Sequence, residues 1–182
     1  MNKLDEIRQV ELEADRLYSE IEVETAIDRV AEEITARLAD QNPIVLTVLN
    51  GGMIFSAKLM MRFRFHFEID AINASRYRGE TRGSLIRWLL KPALPLAGRT
   101  VLIVDDILDE GVTLAEIVNY CKGQGATAVH TCVLIDKQLG RPKPCRADYV
   151  ALEAEDRYLF GYGMDYKRYL RNAPGIFACK EA

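Results

Sequence analysis

One short run of residues carries types that can do chemistry together. Asp105 and Asp106 end the apolar run 100–106 (TVLIVDD), and Asp109, Glu110, Gly111, Val112 and Thr113 follow before a helical stretch. Ligands of open α/β sheets sit beyond the carboxyl ends of strands. Gly111 lets backbone amides turn toward an anion, the helix N-terminus adds oriented donors, and Thr113 offers its hydroxyl. This is a cradle for one phosphate. Asp105 and Asp106 can accept from sugar hydroxyls or position Mg²⁺ through water. Asp109 can face a different atom as a proton acceptor.

These residues need a strand to aim them and a helix to receive the phosphate. The stretch 101–104 within that run is wholly apolar, as in a parallel strand buried on both faces, and 114–125 (LAEIVNYCKGQG) carries an apolar stripe with a glycine stop. The same grammar appears earlier. IVLTVLN (44–50) reads as a strand, Gly51–Gly52 as a turn, and MIFSAKLMMRF (53–63) as a helix. Further strands are expected at 65–73, 84–91, 126–137 and 149–154. Residues 75–83 (SRYRGETRG) are too polar for a core element and are expected as a loop. Residues 1–40 read as two amphipathic helices with a break near Ser19–Glu20. The tail 157–182 reads as irregular, forming a small lobe over the active end. The expectation is an α/β fold with a mostly parallel central sheet flanked by helices, in one domain spanning 1–182.

Composition excludes several classes. The 182 residues are 49% hydrophobic and 28% charged, which supports a buried core rather than disorder. No CxxC pattern joins Cys121, Cys132, Cys145 and Cys179, and no apolar run is long enough for a signal core or a membrane span, so a cytoplasmic protein is expected. The formal charge of −3 speaks against a nucleic-acid coat. It is unevenly distributed: residues 1–40 hold 12 acids and 5 bases, whereas residues 41–99 hold 9 bases and 3 acids. The basic excess gathers at Arg76, Arg78, Arg82 and Arg87, where it would focus attraction on an anionic substrate. His66 and His130 lie in strand-like apolar segments and are read as packing or hydrogen-bonded residues. The glycine patterns GxxxxGKS/T and GxGxxG are absent, which excludes two common nucleotide-binding loops.

Taken together, VLIVDDILDEGVTLAEI resembles the phosphoribosylpyrophosphate signature of type I phosphoribosyltransferases. Three more segments narrow the resemblance to the hypoxanthine-guanine phosphoribosyltransferase family: LNGG at 49–52, VLIDK ending at Lys137, and YLFGYGMDYKRYLR at 158–171. They occur in the family order, and the resemblance covers about residues 41–182.

The resemblance implies transfer of a phosphoribosyl group to hypoxanthine or guanine, giving a purine nucleoside monophosphate and pyrophosphate. It implies Asp109 near purine N7 as general base or hydrogen-bond partner, and the 109–113 loop, with Glu110, Gly111, Val112 and Thr113, on the 5′-phosphate. Asp105 and Asp106 would address the ribose hydroxyls beside Mg²⁺. Asn50 and Gly51 would hold pyrophosphate through backbone groups, with a strained or cis peptide. Lys137 would donate to the 6-oxo group, Tyr158 would stack on the purine, and the Leu159 backbone would reach its edge. Asp165 would help bind a second Mg²⁺, Arg171 would contact pyrophosphate, and Arg141 would support that side. Tyr77 would sit on a closing loop. Homo-dimers or homo-tetramers are implied, without a membrane or nucleic-acid partner.

Two positions depart from the common pattern: Asn50 stands where many relatives have lysine, and Val112 replaces a frequent lysine. A xanthine or other purine-base enzyme, and an RNA-binding regulator on the same fold, are the competing functions.

Overall fold

The structure, a computed structural model, describes residues 2–77 and 85–180, without the side chains of Arg76, Tyr77 and Leu85. In chain order these residues form α1 (Lys3–Glu13), β1 (Asp15–Ser19), α2 (Glu20–Leu38), β2 (Ile44–Val48), α3 (Gly52–Met60), β3 (Glu68–Tyr77) and β4 (Leu85–Leu90). β5 (Thr100–Leu108), α4 (Val112–Gly123), β6 (Ala128–Gln138), β7 (Tyr149–Glu155), β8 (Leu159–Phe160) and β9 (Gly175–Ala178) follow. Among the described residues, no helix is long and apolar enough to cross a membrane.

The central sheet has the order β4-β3-β2-β5-β6-β7. Its strands run parallel except β4, which returns antiparallel to β3 at the edge. Strand side chains alternate between the two faces. Val45, Leu102, Val104, Cys132 and Leu134 join the core beneath α2 and α3. Ile44, Leu46, Val101, Ile103 and Val133 join the core beneath α4. Both faces are therefore covered, which is why β2, apart from the buried Thr47, and the body of β5 are continuous apolar runs. The fold is the mostly parallel α/β sheet expected from sequence.

Several local expectations need correction. Residues 15–19 are not helical: β1 pairs antiparallel with β9, and α2 begins only at Glu20. Ser19 sets that start through a capping box, with its backbone amide donating to Glu22 at 2.8 Å. The tail is not all irregular, because β8 and β9 complete a three-stranded sheet with β1. The strand expected at 65–73 begins at Glu68, since Phe65 and Phe67 cluster with Phe63 instead, their ring centroids 4.7 and 5.5 Å from it. Residues 75–77 belong to β3, where pairing with β4 overrides their polar composition. Residues 78–83 of the expected loop, including Arg78 and Arg82, lie outside the described residues. His66 is exposed ahead of β3, rather than packed in a strand, whereas His130 is half-buried in β6.

The small sheet does not stand apart from the larger one. Leu159, Tyr162, Met164, Ile176 and Ala178 share one hydrophobic cluster with α2. A polar tie reinforces this contact. Glu24 on α2 accepts from the Tyr162 hydroxyl at 2.5 Å, Lys58 at 2.5 Å and Arg62 at 2.6 Å. Burial would raise the Glu24 carboxyl, but hydrogen bonds from Lys58, Tyr162 and Arg62 outweigh it and hold the group down to about 2. A lowered carboxyl stabilises the fold above its ordinary value and loses that contribution as pH falls toward 2. Glu24→Gln is therefore expected to lower the urea midpoint at neutral pH, with the deficit shrinking between about pH 5 and about pH 3. Equilibrium urea melts across that range check it; a constant deficit would separate the carboxyl's charge from the effect.

Candidate active site

The catalytic candidates lie where the parallel strands end. β5 remains a strand through Leu108, two residues beyond the paired acids, so the turn is confined to Asp109–Gly111. Gly111 adopts a left-handed conformation (φ 78°) at the N-cap of α4, a position that disfavours any side chain. The start of α4 thereby lines a cavity of about 400 Å³. Gly51, Asp105, Asp106, Asp109, Glu110, Gly111, Val112, Thr113, Asp165 and Arg171 line it. The residues that the sequence marked out as a phosphate cradle thus line one surface.

A second, smaller cavity of about 250 Å³ adjoins it, lined by Lys137, Tyr158, Leu159 and Met164. Asp106, Asp109 and Asp165 border both chambers. The first chamber is ringed by acids, glycines and one arginine; the second has a lysine, a tyrosine and apolar walls. An anion carrying a sugar suits the former, and a flat base with a polar edge suits the latter.

Lys137 is 12% exposed and stands 3.2 Å from Asp109 and 3.3 Å from Asp156. Asp156 was not anticipated. The signal lay in topology: β7 runs parallel beside β6, so the residue after β7 emerges at the same sheet end as Lys137. Tyr158 is 54% exposed, with its ring meeting Tyr166 edge-on at 5.5 Å. One face is therefore available to a planar ligand.

The small sheet and the loop after β2 interlock. The Leu49–Asn50 peptide is cis. Gly51 rests so close to Asp106 that a methyl group there would overlap the carboxylate. Gly163 rests against the Gly51 carbonyl just as closely, and at φ 112°. Arg171 donates to the Gly163 carbonyl and pairs with Asp165 at 2.6 Å. The Asp165–Arg171 pair is thus part of the cleft wall.

Two predicted residues do not line either chamber, and the side chain of a third lies outside the described residues. The Asn50 side chain is exposed, and only its neighbours Leu49 and Gly51 line the larger cavity. Arg141 pairs with Glu110 at 3.2 Å and lines a separate cavity of about 490 Å³ behind the phosphate loop. Tyr77 ends β3, and its side chain lies outside the described residues.

Asp105 and Asp106 are electrostatically frustrated. Burial pushes the Asp105 carboxyl well up, and the neighbouring Asp106 charge adds to it. Burial also raises Asp106, offset in part by its bond with Asp105 and by the Arg171 charge. Among the described residues, no three carboxylate, histidine or cysteine donors converge on a point. One or two carboxylates beside an anion-sized cavity fit an ion that keeps most of its ligands from water and phosphate oxygens. That is the habit of Mg²⁺. A bound cation would also relieve the acidic pair.

A raised carboxyl stabilises the fold below its ordinary value, and the contribution disappears as pH rises through the shifted value. Neutral pH therefore leaves this pair opposing folding. Asp105→Asn retains an acceptor for the Asp106 amide, which Asp105 holds at 2.9 Å, and removes one charge. The ligand-free variant is expected to melt about 2–4 °C higher at pH 7.5, with a smaller gain near pH 5. Calorimetry at the two pH values checks this; a variant that melts lower at pH 7.5 would contradict the repulsion.

Comparisons with known proteins bear on the fold and the family. The profile of the phosphoribosyl transferase domain matches residues 13–167. The hypoxanthine-guanine phosphoribosyltransferase of Bacillus subtilis (strain 168) is 32% identical over 91% of this chain and 93% of its own. That of Streptococcus pneumoniae (strain ATCC BAA-255 / R6) is 34% identical over 91% and 92%. Among solved structures, a hypoxanthine-guanine phosphoribosyltransferase from Bacillus anthracis superposes with a TM-score of 0.82 at 29% identity, over 90% of this chain and 96% of that one. A Staphylococcus aureus hypoxanthine phosphoribosyltransferase reaches 0.88 at 24% identity, over 99% and 96%, which supports the fold.

Proposed function

The chain belongs to the phosphoribosyl transferase domain family, in its hypoxanthine-guanine group, and from that premise we propose that it transfers the phosphoribosyl group of phosphoribosylpyrophosphate to hypoxanthine or guanine. The products are IMP or GMP and pyrophosphate. One observation carries the reading: Asp109 borders both the anion chamber and the base chamber, 3.2 Å from Lys137.

The 5′-phosphate sits on the amides leading into α4 with the Thr113 hydroxyl, which fixes the sugar's register. Glu110 and Val112 complete that loop, where Val112 leaves the binding to backbone donors. Asp105 and Asp106 accept from the ribose hydroxyls. Pyrophosphate lies against the Gly51 backbone, with Arg171 opposite. Rupture of the bond between sugar and pyrophosphate builds positive character on the sugar and negative charge on the leaving group, and Arg171 meets the latter. Mg²⁺, when bound near Asp105, Asp106 and Asp165, supplies further positive charge to the pyrophosphate oxygens.

On the other side, the purine enters the smaller chamber against Tyr158. Lys137 donates to its 6-oxo oxygen, and the Leu159 backbone meets its edge. Asp109 takes or shares the N7 proton as the new bond forms at N9. Adenine offers a 6-amino donor to the Lys137 ammonium and is disfavoured.

The decisive assay mixes the protein with Mg²⁺, phosphoribosylpyrophosphate and, separately, hypoxanthine, guanine, xanthine and adenine. The expected result is pyrophosphate and nucleotide from the first two. Turnover with xanthine alone would move the specificity, and silence with every purine would overturn the assignment. RNA retained without base-dependent pyrophosphate release would favour a regulator. Assembly as a homo-dimer or homo-tetramer accompanies this reading. Exposed Ile69, Leu89 and Leu90 near the β3–β4 sheet edge offer apolar contact area, and sedimentation gives the stoichiometry.

A further inference from the structure

We propose that Lys143 is a positioning residue that clamps together the strand ends presenting Asp109 and Lys137. The Lys143 side chain is 11% exposed. Its ammonium donates to the Leu108 carbonyl at 2.7 Å and to the Asp136 carboxylate at 2.6 Å. Leu108 and Asp136 are register partners in the last rung between β5 and β6. Each immediately precedes a residue that the proposed reaction uses: Asp109 follows Leu108, and Lys137 follows Asp136. One largely buried cation therefore holds both strand ends where ladder pairing between them stops.

The same segment supports the phosphate turn from behind. Atoms of Lys143 and Pro144 lie where a methyl group on Gly111 would meet them at 3.4 Å. The Cys145 thiol donates to the Gly111 carbonyl at 3.2 Å. Both flanks of the turn Asp109–Gly111 are thus tied to residues 143–145. Asp109 itself is half exposed and is not held by burial. Its aim depends on the backbone before and after it, and small displacements of a reacting group are costly. Removing the ammonium would also leave the half-buried Asp136 without this partner, loosening the β6 end beside Lys137.

The inference rests on the function proposed above, and its test separates the two. Lys143→Met is expected to lower kcat by about 30- to 100-fold, with each KM changing by less than about threefold. Amide hydrogen exchange at residues 109–113 should quicken by about tenfold without acceleration in α2. Lys143→Ala should regain about tenfold in kcat with propylammonium and nothing with propanol, because only the former restores the charge and donors. Should the Met variant not fold, Asp136→Asn keeps the shape and removes the charged partner, and it should show the same exchange pattern. Turnover within about threefold of the parent in a folded Lys143→Met, or unchanged exchange at 109–113, would overturn the clamp. If the unmodified protein turns over no purine, the reaction assignment fails, while the exchange measurement still decides the clamp.

Discussion

Asp109→Asn is expected to reduce kcat by about 10²- to 10⁴-fold, the usual reach of a positioned proton acceptor. The substitution keeps the side chain's size and one oxygen, so substrate positioning should persist. On the proposed mechanism it removes the charge that receives or shares the N7 proton, which is also the charged partner 3.2 Å from Lys137. The side chain is 51% exposed, so its contribution to folding is small and the melting temperature should stay within about 2 °C. KM for phosphoribosylpyrophosphate should also change little, because the proposed phosphate contacts are backbone amides and Thr113. Steady-state kinetics with hypoxanthine give both parameters. Retention of kcat would remove Asp109 from proton handling and leave the two-chamber geometry without its chemical link.

Gly163→Ala is the second large effect. A methyl group at this position meets the Gly51 carbonyl oxygen, a backbone atom that no rotamer change can move. The φ of 112° adds conformational cost for any residue with a Cβ. The clash can be relieved by withdrawing the small sheet from the cleft or by displacing the loop after β2. Either movement separates Gly51 from Asp106, or carries Arg171 and Asp165 away from the anion chamber, because Arg171 is bonded to the Gly163 carbonyl. A loss of activity of at least about 10³-fold is expected, together with destabilisation of about 2–4 kcal/mol. Kinetics and urea melts measure both. A variant of parental stability and turnover would show that this contact can relax without cost.

The two substitutions differ in how far sequence alone foretells them. Asp109 is conspicuous in VLIVDDILDEGVT, since an apolar strand, a turn and a helix start are all short-range signals. Gly163 is one of two glycines in 158–171, and nothing nearby in sequence shows that Gly51 lies against it. β1 is hidden for the same reason. Asp15–Ser19 is polar and short, and its partner strand begins at Gly175, almost the whole chain away. The second carboxylate beside Lys137, Asp156, becomes apparent only once β7 is known to lie next to β6. Arg141 shows the reverse case, with a matching residue type in a matching segment that lines the cavity behind the loop rather than the cleft.

The order of residues by itself determined the chemical repertoire: acids at the end of a buried strand, a glycine turn into a helix, and a lysine closing the next strand. It also determined the alternation that makes a parallel sheet, because side-chain periodicity and turn chemistry act over a few residues. Tertiary structure decided which groups meet. The opposition of Asp105 to Asp106, the seating of Gly163 on Gly51, and the hold of Glu24 on Tyr162 depend on desolvation and on contacts between distant segments. Those terms come into being only when the chain closes on itself, so no local pattern can encode their magnitude.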